Sequence, residues 1–182
     1  VNLDGSLHVS PLHGFVDSDW AADTLHRCSV TGFTYMLAGA AVVYKTWFQS
    51  TVALSSTEAE FVAASDAGKM ALYIRSLIAD LGVSQNDAVL LYEDNAGAFL
   101  MADAGKPTPR TRHNNRRRFA LLDWVERDLV QLEHISTALN TADVLTKLTP
   151  RIIFHQHNDV LMGKISPSRF AHVQACFMYD VW

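Results

Sequence analysis

The stretch Asp87-Ala-Val-Leu-Leu-Tyr-Glu-Asp94 decides the fold class. Its centre, Val89-Leu90-Leu91-Tyr92, is a nearly continuous apolar run, the pattern of a strand buried on both faces. Such a strand belongs in a sheet that helices cover. Working backwards, a helix is expected from about Ser56 to Leu81. Ser56 or Thr57 can cap its start and Gly82 can end it. Ala63, Ala67, Met70, Ile74, Leu77 and Leu81 recur in steps of three and four and define one buried stripe. Earlier still, Val30–Leu37 and Ala41–Phe48 are rich in Val, Tyr, Phe, Thr and Trp. Ala38-Gly39-Ala40 splits them, which predicts a hairpin. Residues 14–20 predict a first strand, and the polar stretch from Asp23 to Ser29 a turn. Working forwards, a short helix is expected over Asn95–Ala102, followed by a break at Lys106-Pro-Thr-Pro109. A basic, later amphipathic helix over Asn115–Asp128, a fifth strand over Val130–Ile135 and a helix over Thr141–Leu148 complete the pattern. The first three strands run consecutively and the later ones alternate with helices, so an α/β fold with a mixed sheet is expected.

The chain has 182 residues, 49% hydrophobic and 19% charged, enough for one domain with a real core and unlike a disordered chain. Its longest apolar run, Tyr35–Tyr44, has ten residues and includes Gly39. That is short of the ~20 needed to span a bilayer. Residues 1–5, Val-Asn-Leu-Asp-Gly, show neither the basic nor the apolar region of a signal peptide. A first residue other than Met is expected of a piece of a longer product. Cys28 and Cys176 form neither a metal spacing nor a disulfide framework, which favours an intracellular setting. The net charge of −4 is unevenly spread. Arg110, Arg112, Arg116, Arg117 and Arg118 fall within nine residues, and removing those five charges from −4 leaves −9. An acidic body with one basic segment results, either a solvated loop or a grip on an anionic partner.

Four acidic residues stand near the ends of different elements. Stepping back three residues from Ala63 along the buried stripe lands on Glu60, so a carboxylate sits in line with the buried face. Such a group needs a partner or a metal, unless it only complements the helix dipole. Glu58 lies off that line and is expected in solvent. Asp94 ends the most apolar strand, where ligands bind in α/β sheets, or else caps the helix that follows. Asp17 and Asp19 share a face of the first strand, and periodicity does not choose between them. Asp143 lies three residues after Asn140, either in a capping box or aimed into the same end of the sheet. Should these ends converge, the carboxylates would repel one another strongly without cations. Mg²⁺ takes oxygen ligands, and two such ions ~4 Å apart can activate water and stabilise a leaving oxygen in phosphodiester cleavage. No Cys/His zinc pattern competes. His155-Gln-His157 reads as a surface pair, and Trp20, Trp47 and Trp124 as core residues.

Several blocks together resemble one family. Gly14-Phe-Val-Asp-Ser-Asp-Trp-Ala21 and Arg27-Cys-Ser-Val-Thr-Gly-Phe33 closely resemble the start of the ribonuclease H domain of copia-type retrotransposon polyproteins. Gln49-Ser-Thr-Val-Ala-Leu-Ser-Ser-Thr-Glu-Ala-Glu-Phe61 is nearly that family's signature stretch. Leu91-Tyr-Glu-Asp-Asn-Ala96 is similar to its Tyr-Cys-Asp-Asn block, Arg110-Thr-Arg-His113 to its Arg-Thr-Lys-His, and Thr141-Ala-Asp-Val-Leu-Thr-Lys147 to its Ala-Asp-Ile-Phe-Thr-Lys. The similarity runs from about Gly14 to Gly163. Residues 1–13 are then a lead-in, 14–150 the domain and 151–182 an appendage.

The resemblance implies a ribonuclease H-like fold, a five-stranded mixed sheet flanked by helices. It implies hydrolysis of the RNA strand of RNA–DNA hybrids with two Mg²⁺ ions, or Mn²⁺ in their place, within a polyprotein that also carries a reverse transcriptase. The setting it implies is cytoplasmic, inside a virus-like particle. The family's acidic set falls on Asp17, Glu60, Asp94 and Asp143, with Asp19 a neighbour. Gln49, Ser50, Thr51, Ser55, Ser56 and Asn95 are expected to contact nucleic acid. Arg110, Arg112, Arg116, Arg117 and Arg118 are expected to neutralise phosphates, which makes binding salt-dependent. After His113 the chain departs from the family's Ile-Asp-Ile-Lys-Tyr-His-Phe and adds arginines instead. Cellular ribonucleases H carry a mobile histidine before the last aspartate; here only His134 is near, and it reads as a strand residue without a catalytic role. Two alternatives stay open, a catalytically silent nucleic-acid-binding module and a nuclease acting on DNA duplexes or junctions.

Overall fold

A computed structural model of the chain describes residues 12–23, 25–83, 85, 87–97 and 115–165, with the backbone alone at 115–118. Among the described residues five strands form one sheet: β1 (His13–Asp19), β2 (Val30–Leu37), β3 (Ala40–Phe48), β4 (Val89–Glu93) and β5 (Val130–His134). Their order is β3-β2-β1-β4-β5. The β1/β2 and β2/β3 pairs are antiparallel, and β1/β4 and β4/β5 are parallel. The expected mixed sheet is therefore present. The hairpin turn at Ala38 and Gly39 has positive φ at both residues, 53° and 89°. Two such residues match the right-handed twist of the flanking strands, and glycine adopts this conformation without strain.

Helix α1 (Ser56–Asp80) covers one face. Its small residues Ala63, Ala64, Ala67 and Ala71 are fully buried and let the helix approach Phe33, Tyr35 and Leu91 closely. The Tyr35 hydroxyl donates to the Ala67 carbonyl at 2.5 Å, so this buried polar group is satisfied. Helix α2 (Asn115–Glu126) packs beside α1 through Leu121 and Trp124. The other face is covered by the short helix α3 (Asp143–Thr146) and by α4 (Arg151–Leu161), where Phe15, Met36, Ala142 and Val160 form a second, smaller core.

The structure shifts several expectations. The N-cap of α1 is Ser55, whose hydroxyl accepts the Glu58 N–H at 3.1 Å; it is neither Ser56 nor Thr57. Glu58 reaches back to the Leu54 N–H at 2.8 Å, so its carboxylate closes the helix start rather than pointing only to solvent. The expected helix over 141–148 shrinks to four residues because Asn140 holds the chain before it: Oδ1 accepts the Ala142 N–H and Nδ2 donates to the Val16 carbonyl. His157, read as a surface residue, is 1% exposed on the inner side of α4, whereas His155 is exposed. Trp47 and Trp124 pack against the core, but Trp20 is half exposed and donates from Nε1 to the Ala53 carbonyl. Only Asn95, Ala96 and Gly97 of the helix expected over 95–102 lie within the described residues. No helix among the described residues is long and apolar enough to cross a membrane.

Candidate metal centre

Three elements deliver one carboxylate each to a common point. Asp17 lies in β1 beside the parallel strand β4 and is fully buried. Asp94 directly follows β4, and Glu60 sits in the first turns of α1. One carboxylate oxygen from each of Asp17, Glu60 and Asp94 lies within 4.8 Å of the others. Local chemistry explains the convergence. Gln49 is buried, and its amide Nε2 donates to the Ala59 carbonyl at 2.8 Å, to Thr31 Oγ1 at 2.9 Å and to Ser18 Oγ at 3.4 Å. That bracket fixes the start of α1 on β1 and β2, and with it Glu60. Asn140 ties the turn before α3 to β1 in the same way. Gly32, opposite Asp17 in the β1/β2 register, leaves the space that α3 fills: a Cβ there would stand 2.6 Å from Thr146 Cγ2 and 2.9 Å from Leu145 Cβ.

The electrostatics are those of a site with too much negative charge. Burial pushes the Glu60 carboxyl far above the usual range, and the charges of Glu93, Asp17 and Asp94 push it further. Asp143 stands outside the group of three. Burial, then the charge of Asp17, raises it to about 6. Lys147 lies between the two aspartates, with Nζ donating to Asp17 Oδ1 at 2.9 Å and to Asp143 Oδ1 at 3.2 Å. Burial works against its charge, but Asp17 and Asp143 outweigh burial and hold its pKa above the ordinary lysine value. The Thr146 hydroxyl donates to Asp17 Oδ2.

The donor set fits a hard divalent cation. Three carboxylate oxygens converge, and the buried Oε2 of Glu60 accepts no hydrogen bond among the described residues. Oxygen-only ligands of this kind suit Mg²⁺ or Mn²⁺ rather than zinc.

The other expected site residues are distributed as follows. Asp19, at the end of β1, is half-buried and outside the group. His134 ends β5, and its Nε2 donates to the Asp94 carbonyl at 3.0 Å. Ser50, Thr51, Ser55 and Ser56 are exposed beside the start of α1. Gln49 differs from them: buried, with Nε2 bonded inside the fold, it does not offer that amide to an RNA strand. The side chain of Asn95 closes a turn, Oδ1 accepting the Gly97 N–H at 2.9 Å. Arg110 and Arg112 lie outside the described residues. Arg116, Arg117 and Arg118 lie in the first turns of α2, with their side chains outside the description. Sequence reasoning missed Lys147, Thr146 and Glu93. Glu93 did carry a signal: it shares the strand parity of Val89 and Leu91, which puts a carboxylate on the buried face of β4.

No protein-family profile matches the chain. Over 140 residues, 77% of the chain, it is 34% identical to the retrovirus-related Pol polyprotein from transposon TNT 1-94 of Nicotiana tabacum. It is 28% identical over 158 residues to the corresponding polyprotein from transposon RE2 of Arabidopsis thaliana. The chain spans about a tenth of the length of these relatives, 10% and 11% respectively. Among solved structures it is similar to LC11-RNase H1, isolated from compost by a metagenomic approach. The TM-score is 0.57 at 13% identity, covering 75% of this chain and 92% of that one. Strand order, strand directions and sequence relatives agree, and the chain belongs with the retrovirus-related Pol polyproteins of plant transposons, as a segment with the fold of a ribonuclease H domain.

Proposed function

We propose that the chain is a ribonuclease H that cleaves the RNA strand of RNA–DNA hybrids during retrotransposon reverse transcription. The observation that carries this reading is the convergence of Asp17, Glu60 and Asp94 within 4.8 Å at the ends of β1, α1 and β4. A purely binding module has no physical need to gather three carboxylates against their mutual repulsion. LC11-RNase H1 has also been solved in complex with an RNA/DNA hybrid, with TM-score 0.51 to this chain.

In this reading Asp17 and Asp94 hold the cations near the scissile phosphate. Glu60 holds one of them and orients the RNA 2′-hydroxyl or the attacking water. Asp143 completes a second site in exchange for its bond to Lys147. Two Mg²⁺ or Mn²⁺ ions held there would supply an activated water and charge stabilisation for the leaving oxygen, for products with a 5′-phosphate and a 3′-hydroxyl. Ser50, Thr51, Ser55, Ser56 and Asn95 line the RNA-strand contact, where a 2′-hydroxyl distinguishes RNA from DNA. The arginines from 110 to 118 neutralise hybrid phosphates. The domain works beside a reverse transcriptase in its polyprotein, in the cytoplasm and within a virus-like particle.

The test is cleavage of a labelled RNA–DNA hybrid with Mg²⁺ or Mn²⁺, against EDTA and Asp94→Asn controls. Metal-dependent cutting of the RNA strand is expected, with a loss on the order of 100-fold or more in Asp94→Asn. A folded chain that binds the hybrid but never cuts it, even when joined to a reverse transcriptase domain, would make it a silent module. Cutting of duplex DNA in preference to hybrid would change the substrate.

A further inference from the structure

Glu93 is a carboxylate where the fold calls for an apolar side chain. On β4 it follows Val89 and Leu91 on the face that α1 covers, and it is 1% exposed. Its Oε1 accepts the Asn95 N–H at 3.2 Å. Its Oε2 is buried and accepts no hydrogen bond among the described residues. The carboxyl lies against that of Glu60, whose Oε2 is buried and unpartnered as well. Two buried acidic side chains therefore meet carboxyl to carboxyl, with no donor from the described residues and with only a proton to share between them. The nearby ammonium, Lys147, is bonded to Asp17 and Asp143 instead.

A structural role does not account for this. Unpaired buried carboxylates destabilise a fold, and an apolar residue of similar volume would serve the core better. When both are ionised the groups are acceptors only, and the fold then gives them no cation of their own among the described residues. One Glu60 oxygen lies within 4.8 Å of oxygens of Asp17 and Asp94, and Glu93 stands next to that group rather than in it.

We propose that Glu93 is a further carboxylate of the divalent-cation site, pairing its buried Oε2 with the Glu60 carboxyl to strengthen cation binding on the α1 side of Asp94. This rests on the reading that Asp17, Glu60 and Asp94 bind a divalent cation. The site thereby gains a negative charge that helps it attract and hold a hard ion. It also gives the buried pair a stabilising counter-charge once the ion is bound.

The test is calorimetric titration of the full chain with Mn²⁺, comparing the unaltered protein with Glu93→Gln, Glu93→Leu and Asp94→Asn, each also melted with and without Mn²⁺. Affinity is expected to fall on the order of tenfold in both Glu93 variants. Their metal-free melting temperatures should rise, and their Mn²⁺-induced shifts should shrink. Unchanged affinity in the Glu93 variants, with loss in Asp94→Asn, overturns the role of Glu93 and leaves the three-residue site standing. No Mn²⁺ binding by the unaltered chain overturns both. Glu93→Leu keeps the test decisive should Glu93→Gln fold poorly.

Discussion

Asp17 and Asp143 share the ammonium of Lys147, whereas Glu60 and Glu93, on the other side of the same strand ends, share nothing positive. Both pairs are carboxylates removed from water. The first is neutralised by the fold itself through a residue one helical turn beyond Asp143. The second meets carboxyl to carboxyl, with Glu60 held far above its usual range by burial and by its neighbours' charges. The difference teaches where an external cation matters. An ion on the Asp17–Asp143 side would compete with Lys147, while an ion on the Glu60 side would compete only with a proton.

The strongest way to break this comparison is Lys147→Met, which removes the internal cation and leaves Asp17 buried without a counter-charge. Breaking a buried pair costs ~3–5 kcal/mol, but the Lys147 side chain is 35% exposed, so a loss of about 2 kcal/mol is expected. Urea unfolding in EDTA measures it. A variant as stable as the parent would mean that Lys147 does not neutralise the pair.

A subtler way is to titrate the metal-free protein. The folded-state pKa of Asp143 is raised to about 6, so the folded chain keeps a proton that the unfolded chain has released. Its contribution is complete below about pH 4, the ordinary aspartate range, and is lost as pH rises through about 6. Glu60, raised by the same burial, carries the loss to higher pH. Stability in EDTA should therefore decline across that window. Asp143→Asn should flatten its lower part, and a flat profile in the unaltered chain would remove the electrostatic basis of the contrast.

The smallest effect sharpens the comparison from outside. Ser55→Ala removes the cap that starts α1, and about 1 kcal/mol is expected in thermal or urea unfolding, as for other N-caps. Equal losses with and without Mn²⁺ would show that helix capping and the acidic corner act independently.

Much of the fold was legible because it rests on periodicity. β2 runs from Val30 to Leu37 as read, and α1 ends one residue before Leu81, but its buried side passes through Ile74 and Ile78 and leaves the expected stripe residues Leu77 and Leu81 exposed. The cap was not legible, because three hydroxyl residues stand in a row and only the reach of Glu58 to Leu54 selects Ser55. The short α3 was not legible either, since the bonds of Asn140 to β1 are tertiary. Within the site, Glu60 and Asp94 stood out because each is a carboxylate near an element end, whereas only the family resemblance separated Asp17 from Asp19. Lys147 was hidden because a lysine four residues after an aspartate reads as an ordinary helix ion pair. His157 was hidden because a tail helix shows its buried side only once a sheet lies beneath it.

Gly32 has a consequence for how such chains can change. The resting place of the segment from Asp143 to Lys147 is set by a missing carbon on a neighbouring strand, not only by that segment's own residues. Any side chain at position 32 would lift the segment away from Asp17 while leaving every acidic residue intact. An inventory of ligands would score such a chain as complete. Position 32, with no charge and no hydrogen-bonding side chain, therefore sets where Asp143 stands as firmly as any bond that Asp143 itself makes.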